Sequence, residues 1–294
     1  MEWNELRAFV AVAETGSFSR AAEQLHLSQP AITKRIQALE AGIGVSLFDR
    51  VGKRVYLTEA GTRLQPRAID LLSELSDTEV MLRNLHSRID GRLAMATSHH
   101  VGLHRLAPIL KAFSHRFTDV ELHIEFVDSE AAHELVRNGD TELAVVTLSP
   151  VPDPKLHSER LWRDPLAFIG ASDHALAGQR RISLEQLSKY PAILPGLGTY
   201  TGRIVAERFA RAGLPLRTAM ATNYLETIGM LVGIGLGWSV LPATMIQPPL
   251  ARLDVDCELL GRDLGAVTNP ARTLSNPARA FLDVLRGFAD PPVN

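Results

Sequence analysis

At 294 residues the chain exceeds what one hydrophobic core usually holds, so two or more domains are the default. Its 46% hydrophobic share is that of a globular protein, and no segment reaches the roughly 18 apolar residues that a membrane span needs. The net charge of −2 sets up no global field toward nucleic acid, and the single cysteine, Cys257, excludes an intrachain disulfide and a cysteine-rich zinc site.

The first residues, MEWNELRAFVAVAETGSF, carry acids where a secretory signal carries bases, so the expected compartment is the cytoplasm. Leu6, Phe9, Val10 and Ala13 recur at helical spacing, and Gly16 ends that helix. Ser17 or Ser19 caps the next, with Phe18, Ala21, Ala22 and Leu25 inward. His26 and Leu27 form a short turn. Ser28 then caps a third helix with Pro30 in its first turn, where a missing N–H costs nothing. Three short helices with a tight turn between the second and third make a helix-turn-helix, and the small Ala21 and Ala22 let two helices cross closely.

The third helix, LSQPAITKRIQALE, has two faces. At about 100° per residue Ile32, Ile36 and Leu39 fall together, while Pro30, Thr33, Lys34 and Gln37 fall opposite and Arg35 flanks the buried stripe. Gln29 and Thr33 offer donors and acceptors to base edges. Lys34 reaches guanine or phosphate oxygens, and the helix N-terminus favours a phosphate. The solvated face of an ordinary three-helix bundle would give the same pattern. The short turn, the capped proline and a basic hairpin favour DNA instead. That hairpin, or wing, is the pair of strand-like runs 47–50 and 54–57, with Arg50, Lys53 and Arg54 near its tip.

Thr58 is placed to cap a helix reaching about residue 87, bent at Pro66, with an apolar stripe that includes Leu64, Leu71, Leu75, Leu82 and Leu85. Between two globular units such a helix has little core of its own chain to pack on, so self-association is the economical expectation. From Gly91 onward strand and helix patterns alternate. Strands are expected at 93–96, 120–127, 142–148, 165–171, 191–196 and 238–242. Helices are expected at 103–117, 130–138, 201–213 and 224–234, with a last one at 277–288 capped by Asn276. The pattern is α/β with largely buried strands.

Ser98, His99 and His100 stand between a strand and a helix, as do Thr199, Tyr200 and Thr201, and Asp128, Thr147 and Asn223 occupy matching loop positions. Backbone N–H groups at two helix starts facing one cleft would suit a carboxylate or another small anion, with Tyr200 and Tyr224 available to stack or hydrogen-bond. Helix capping alone is the competing explanation for each, since Ser, Thr, Asp and Asn cap helices everywhere. SHHVGLH sets His100 and His104 four apart, as on a zinc-binding helix face. Valine stands where H-E-x-x-H has glutamate, and no Cys, Asp or Glu lies nearby in sequence. The expectation is no metal, and a histidine pair that hydrogen-bonds an anion and titrates near neutral pH. GIGLGW follows a helix and precedes a strand, the wrong order for a dinucleotide loop. No phosphate-binding loop or nucleophile elbow occurs, so neither a cofactor nor a catalytic residue is expected.

The run LRAFVAVAETGSFSRAAEQLHLSQPAITKRIQALEAGIGVSLFDRVGKRVYLTEAG resembles the winged helix-turn-helix head of LysR-type transcriptional regulators. The matching features are F-x-x-V-A-E-x-G-S-F-S-x-A-A, L-x-x-S-Q-P-A-I-T, G-x-x-L-F-x-R and L-T-E-A-G, over more than fifty residues. TIGMLVGIGLGWSVLP is similar, more weakly, to the family's effector-domain signature. The resemblance implies a homotetramer that binds dyad operator DNA, represses or activates, and senses a small molecule. It puts Gln29, Pro30, Thr33 and Lys34 at major-groove positions, Ser28 near the backbone, and Lys53 or Arg54 on the wing near the minor groove. Many members carry arginine where Lys34 stands, and lysine lacks the bidentate fork, which softens base preference there.

The implied organisation is a head over 1–58, a linker and dimerisation helix over 59–88, and an effector domain over 89–294. That last domain resembles periplasmic binding proteins, with one subdomain over about 92–161 and 267–290, a second over about 162–266, and the ligand between them. Two other classes fit the α/β half by itself. A transport solute-binding protein is opposed by the helix-turn-helix and the missing signal. An enzyme would need a nucleophile and base, and the sequence offers only scattered His, Ser and Thr.

Overall fold

The computed structural model describes residues 1–51, 54–85 and 88–291, with the backbone alone described for Arg50, Val51 and Arg54. A capping box between Glu2 and Glu5 starts α1 (Trp3–Thr15), and Gly16, at φ +61°, ends it with its N–H on the carbonyl of Val12. Ser17, not Ser19, caps α2 (Phe18–Gln24) by accepting from the backbone N–H of Arg20. The chain reverses through His26, which takes a left-handed φ of 53°, into α3 (Gln29–Ile43). An antiparallel hairpin of β1 (Phe48–Val51) and β2 (Arg54–Leu57) follows, and Thr58 caps α4 (Glu59–Arg83), which runs through Pro66. Phe9, Phe18, Ala21, Ile32, Ile36, Leu39 and Phe48 make one core. These elements belong to a compact unit, Met1–Leu85.

The second unit, His86–Asn294, is built on mixed α/β layers. It opens with β3 (Gly91–Thr97), α5 (His99–Val101), a π-helical turn (Gly102–Leu106) and α6 (Ala107–Arg116). Next come β4 (Val120–Phe126), α7 (Ser129–Asn138), β5 (Leu143–Thr147) and the long β6 (His157–Ala171). Then follow α8 (Leu184–Ser188), β7 (Ala192–Leu194), α9 (Tyr200–Arg211), β8 (Thr218–Ala221) and α10 (Leu225–Gly233). The chain closes with β9 (Ser239–Pro242), β10 (Leu250–Arg252), β11 (Leu260–Thr268) and α11 (Asn276–Arg286). The cap on α11 is Ser275, one residue before the expected Asn276.

Seven strands form one sheet in the order β10-β6-β11-β5-β3-β4, with β9 also on β6, and β7 pairs in parallel with β8. Strands β6 and β11 run antiparallel between two sets of hydrophobic cores. Leu161, Trp162, Leu264 and Ala266 enter one core with Met95, Phe113 and Phe281. Leu166, Phe168 and Leu260 enter the other with Phe209, Trp238 and Val240. A bulge at Leu264/Gly265 needs glycine, because a Cβ on Gly265 would lie 2.0 Å from the carbonyl oxygen of Glu159. β6 starts eight residues earlier than the expected strand at 165, and β8, β10 and β11 were not anticipated. The first half of β6, HSERLWRDP, is charged and ends in proline, a pattern that argues against an interior strand. Among the described residues no helix is long and apolar enough to cross a membrane.

Candidate functional site

Two faces carry the chemistry, one in each unit. On α3 the Ser28 hydroxyl accepts from the backbone N–H of Ala31 at 3.4 Å, and Gln29 Oε1 accepts from the Ser19 hydroxyl at 3.2 Å. The second bond ties the first residue of α3 back to α2 across the turn. Ser28, Gln29, Pro30, Lys34 and Gln37 are exposed and Thr33 is half-buried, while Ile32, Ile36 and Leu39 are buried on the opposite side. Arg35 is half-buried, flanking that stripe. Arg50 lies on β1 opposite Val55 and Arg54 on β2 opposite Val51, and Lys53 lies outside the described residues.

In the second unit a cleft is lined by Ser98, His99, His100, Asp128, Thr147, Thr199, Tyr200, Thr201 and Asn223, nine of the ten residues anticipated there. Tyr224 is not among them. It is 52% exposed and its ring packs edge-on against His99, with centroids 4.8 Å apart. The cleft holds about 50 Å3, room for a few atoms in its present form. Thr199 caps α9, its hydroxyl accepting from Gly202 N–H at 3.0 Å. Ser98 and Asp128 precede helices without making a side-chain cap bond, so capping does not account for them. Asp128 instead accepts from Asn223 Nδ2 at 2.6 Å, and Asn223 Oδ1 accepts from Gly196 N–H at 3.0 Å.

Five lining residues escaped the sequence: Ser129, Glu130, Pro195, Leu225 and Arg262. Arg262 matters most. It stands opposite Asp164 in the β6–β11 register, donates from Nε to Asp164 Oδ2 at 2.8 Å, and donates from Nη1 to the Thr201 hydroxyl at 2.8 Å. Its side chain is 6% exposed, and Nη2 is buried without a hydrogen-bond partner. Two charged residues in strand interiors were the available signal, but pairing them needs the register.

Two expectations change here. The N–H at the start of α9 was expected to face a ligand anion. The carboxylate of Glu130, in the first turn of α7, already accepts a hydrogen bond from the backbone N–H of Tyr200. The histidine pair was expected to titrate near neutrality. Burial, reinforced by the positive charge of Arg262, pushes His100 down to about 4, so its imidazole is neutral at pH 7.

Residues 86–290 match the LysR substrate binding domain, and residues 3–62 match the bacterial regulatory helix-turn-helix protein of the lysR family. The chain belongs to the LysR family of transcriptional regulators. This LysR-type regulator is 33% identical over 244 residues to the RuBisCO operon transcriptional regulator of Allochromatium vinosum, across 83% of this chain and 80% of that one. It is 29% identical to the HTH-type transcriptional activator CmpR of Synechocystis sp., across 96% and 94%. A full-length OxyR variant from Pseudomonas aeruginosa shares the fold at a TM-score of 0.68 and 23% identity, covering 98% and 94% of the two chains. Full-length CbnR complexed with its target DNA does so at 0.63 and 23%, covering 98% and 100%. The family consists of DNA-binding regulators of transcription with a substrate-binding domain, not of enzymes.

Proposed function

We propose that this LysR-type regulator works in the cytoplasm, binds dyad operator DNA through its winged helix-turn-helix, and senses a small anionic metabolite in the cleft between two effector subdomains. The buried guanidinium of Arg262 carries this reading, because Nη2 is a charged donor without a partner. It is grouped with the hydroxyls of Ser98, Thr147 and Thr201 around the same cleft. A carboxylate or phosphate oxygen satisfies such a donor better than a neutral group does. Two subdomains are supported by the two sets of cores that β6 and β11 join, with the crossover between Trp162 and Leu166 on β6 and between Leu260 and Leu264 on β11, a few residues inside the expected 161/162 and 266/267.

On the DNA side, Gln29, Pro30, Thr33, Lys34 and Gln37 enter the major groove, Ser28 lies at the backbone, and Arg50, Lys53 and Arg54 serve the wing. The exposed apolar residues of α4 and the turn after it, Leu71, Leu75, Leu82 and Leu85, are spaced by four, seven and three, the positions of a coiled-coil seam interrupted at Thr78. They pair two copies as a homodimer, and two dimers make a homotetramer. A dimer sets two α3 helices about 34 Å apart, one DNA turn. The effector changes how the two subdomains close, which alters subunit packing and the spacing of the paired heads.

A thermal-shift screen of small metabolites on the full chain tests the cleft. A true effector raises the melting temperature with concentration, and Thr201→Val removes the shift. A shift that Thr201→Val and Arg262→Lys both leave intact would move the ligand elsewhere.

A further inference from the structure

The sequence showed His100 and His104 without an acidic neighbour. The fold supplies one from 122 residues away: Glu226, in the first turn of α10, with Oε1 3.0 Å from Nε2 of His104 and 3.6 Å from Nδ1 of His100. The three ligand atoms all lie within 4.8 Å of one another. We propose that His100, His104 and Glu226 bind one divalent first-row transition-metal ion of the zinc class, beside the cleft.

Geometry comes first. With metal–ligand bonds near 2.0–2.1 Å, neighbouring donors of a tetrahedral zinc site lie roughly 3.3 Å apart. The two histidine–glutamate distances, 3.0 and 3.6 Å, bracket that spacing, and the histidine–histidine pair lies within 4.8 Å, so rotations of the exposed His104 and half-buried Glu226 side chains complete the set. The two imidazoles are brought together by the π-helical turn, with ring centroids 4.6 Å apart. Such turns are rare and concentrate at functional sites. Gly102 opens that turn, and a Cβ there would stand 2.5 Å from the Phe126 ring, which packs directly over the glycine.

The donor set points the same way. His100 is 7% exposed, and its Nδ1 is buried without a hydrogen-bond partner, since 3.6 Å to Glu226 is too long for one. A buried imidazole nitrogen left without a partner is costly in a purely structural role. Two imidazoles and one carboxylate suit zinc, nickel or cobalt rather than magnesium or calcium, which demand mostly oxygen. On binding, the proton on Nε2 of His104 moves through solvent to Nδ1, and the hydrogen bond to Glu226 is exchanged for two metal bonds.

Three protein ligands leave at least one position open to water. His100 and His104 follow β3, which packs in the first set of cores, whereas α10 packs in the second. The ion therefore braces the two halves of the effector domain against each other.

The test uses the full-length protein, stripped with chelator, and isothermal titration with zinc chloride and with cobalt chloride. One ion per chain is expected, with a cobalt absorption spectrum of nitrogen and oxygen donors at low coordination number. His104→Ala and Glu226→Gln, both at accessible positions, each weaken zinc binding by more than about tenfold. His123→Ala removes a different surface histidine–glutamate pair, with His123 2.9 Å from Glu121, and leaves binding unchanged. Circular dichroism and the urea midpoint verify that the variants are folded. No zinc binding to the wild type, or equal binding by the wild type and both ligand variants, overturns the proposal.

Discussion

Arg262 and Asp164 face each other across β11 and β6, joined from Nε to Oδ2 at 2.8 Å with side chains 6% and 1% exposed. The pair sits where the two strands pass from one set of cores to the other. Removing one partner leaves an uncompensated buried charge. Arg262→Ala is therefore expected to lower unfolding stability by about 3–5 kcal/mol, read from the urea midpoint. Arg262→Lys keeps the charge but loses the fork that reaches Asp164 and Thr201 together. It should keep more of the stability and still bind a cleft anion at least about tenfold more weakly, the cost of one charge-assisted hydrogen bond. Equal anion affinity in Arg262→Lys and wild type would remove Arg262 from the binding account.

Glu130 raises a different expectation. Its carboxylate accepts from the backbone N–H of Tyr200 at the start of α9, where an effector oxygen would otherwise bind. Glu130→Gln removes the internal negative charge. A small anion should then bind several-fold more tightly by calorimetry, and weaker binding would show that Glu130 supports the site rather than competing for it.

The pH dependence of stability has a defined direction at His133. Burial holds its pKa below 6.5 despite the hydrogen bond to the Ser129 carbonyl at 2.7 Å, and Nε2 is buried without a partner beside the Tyr200 ring. Glu130 and Asp153 oppose the shift and Arg137 assists it. A depressed folded pKa means that the stabilisation is complete above about 6.5 and is lost as pH falls through the folded value, because the unfolded chain takes up the proton first. The urea midpoint of His133→Gln should fall less between pH 7.5 and 5.5 than that of the wild type. Parallel curves would contradict this.

Much of the first unit was legible in the sequence, because its signals are local. Caps at Ser17, Ser28 and Thr58, the turn at His26 and the stripe Ile32, Ile36, Leu39 each need only a few neighbouring residues. The second unit was legible where strands are apolar runs, as in β5, and not where charged residues pair across strands, as in β6 and β11. The same limit applied to the sites. Single residues such as Ser98 and Thr201 could be named from strand–helix junctions. Arg262 depends on the partner strand, and Glu226 meets His104 from 122 residues further along the chain.

On DNA, Lys34 is exposed on α3 and is read as a cation near guanine or phosphate. Lys34→Ala should weaken operator binding and reduce the slope of log affinity against log salt by about one. Lys34→Arg should sharpen the choice between G·C and A·T at its position. An unchanged slope in Lys34→Ala would place the side chain off the DNA.

Self-association is tested on α4. Leu75→Glu with Leu82→Glu puts two charges into the proposed seam, and light scattering should show a lower molar mass than for the wild type. An unchanged mass would assign the oligomer to another surface.

Ligand-responsive operator binding is tested most directly by a footprint of the whole chain on the DNA upstream of its own gene and its neighbours. It is run with and without the metabolite that gives the largest thermal shift, for wild type and Thr201→Val. In the wild type a protected dyad is expected whose extent or affinity changes with the metabolite, by about 5- to 150-fold if expressed as affinity, and which does not change in Thr201→Val. Identical protection with and without the metabolite in the wild type would contradict it.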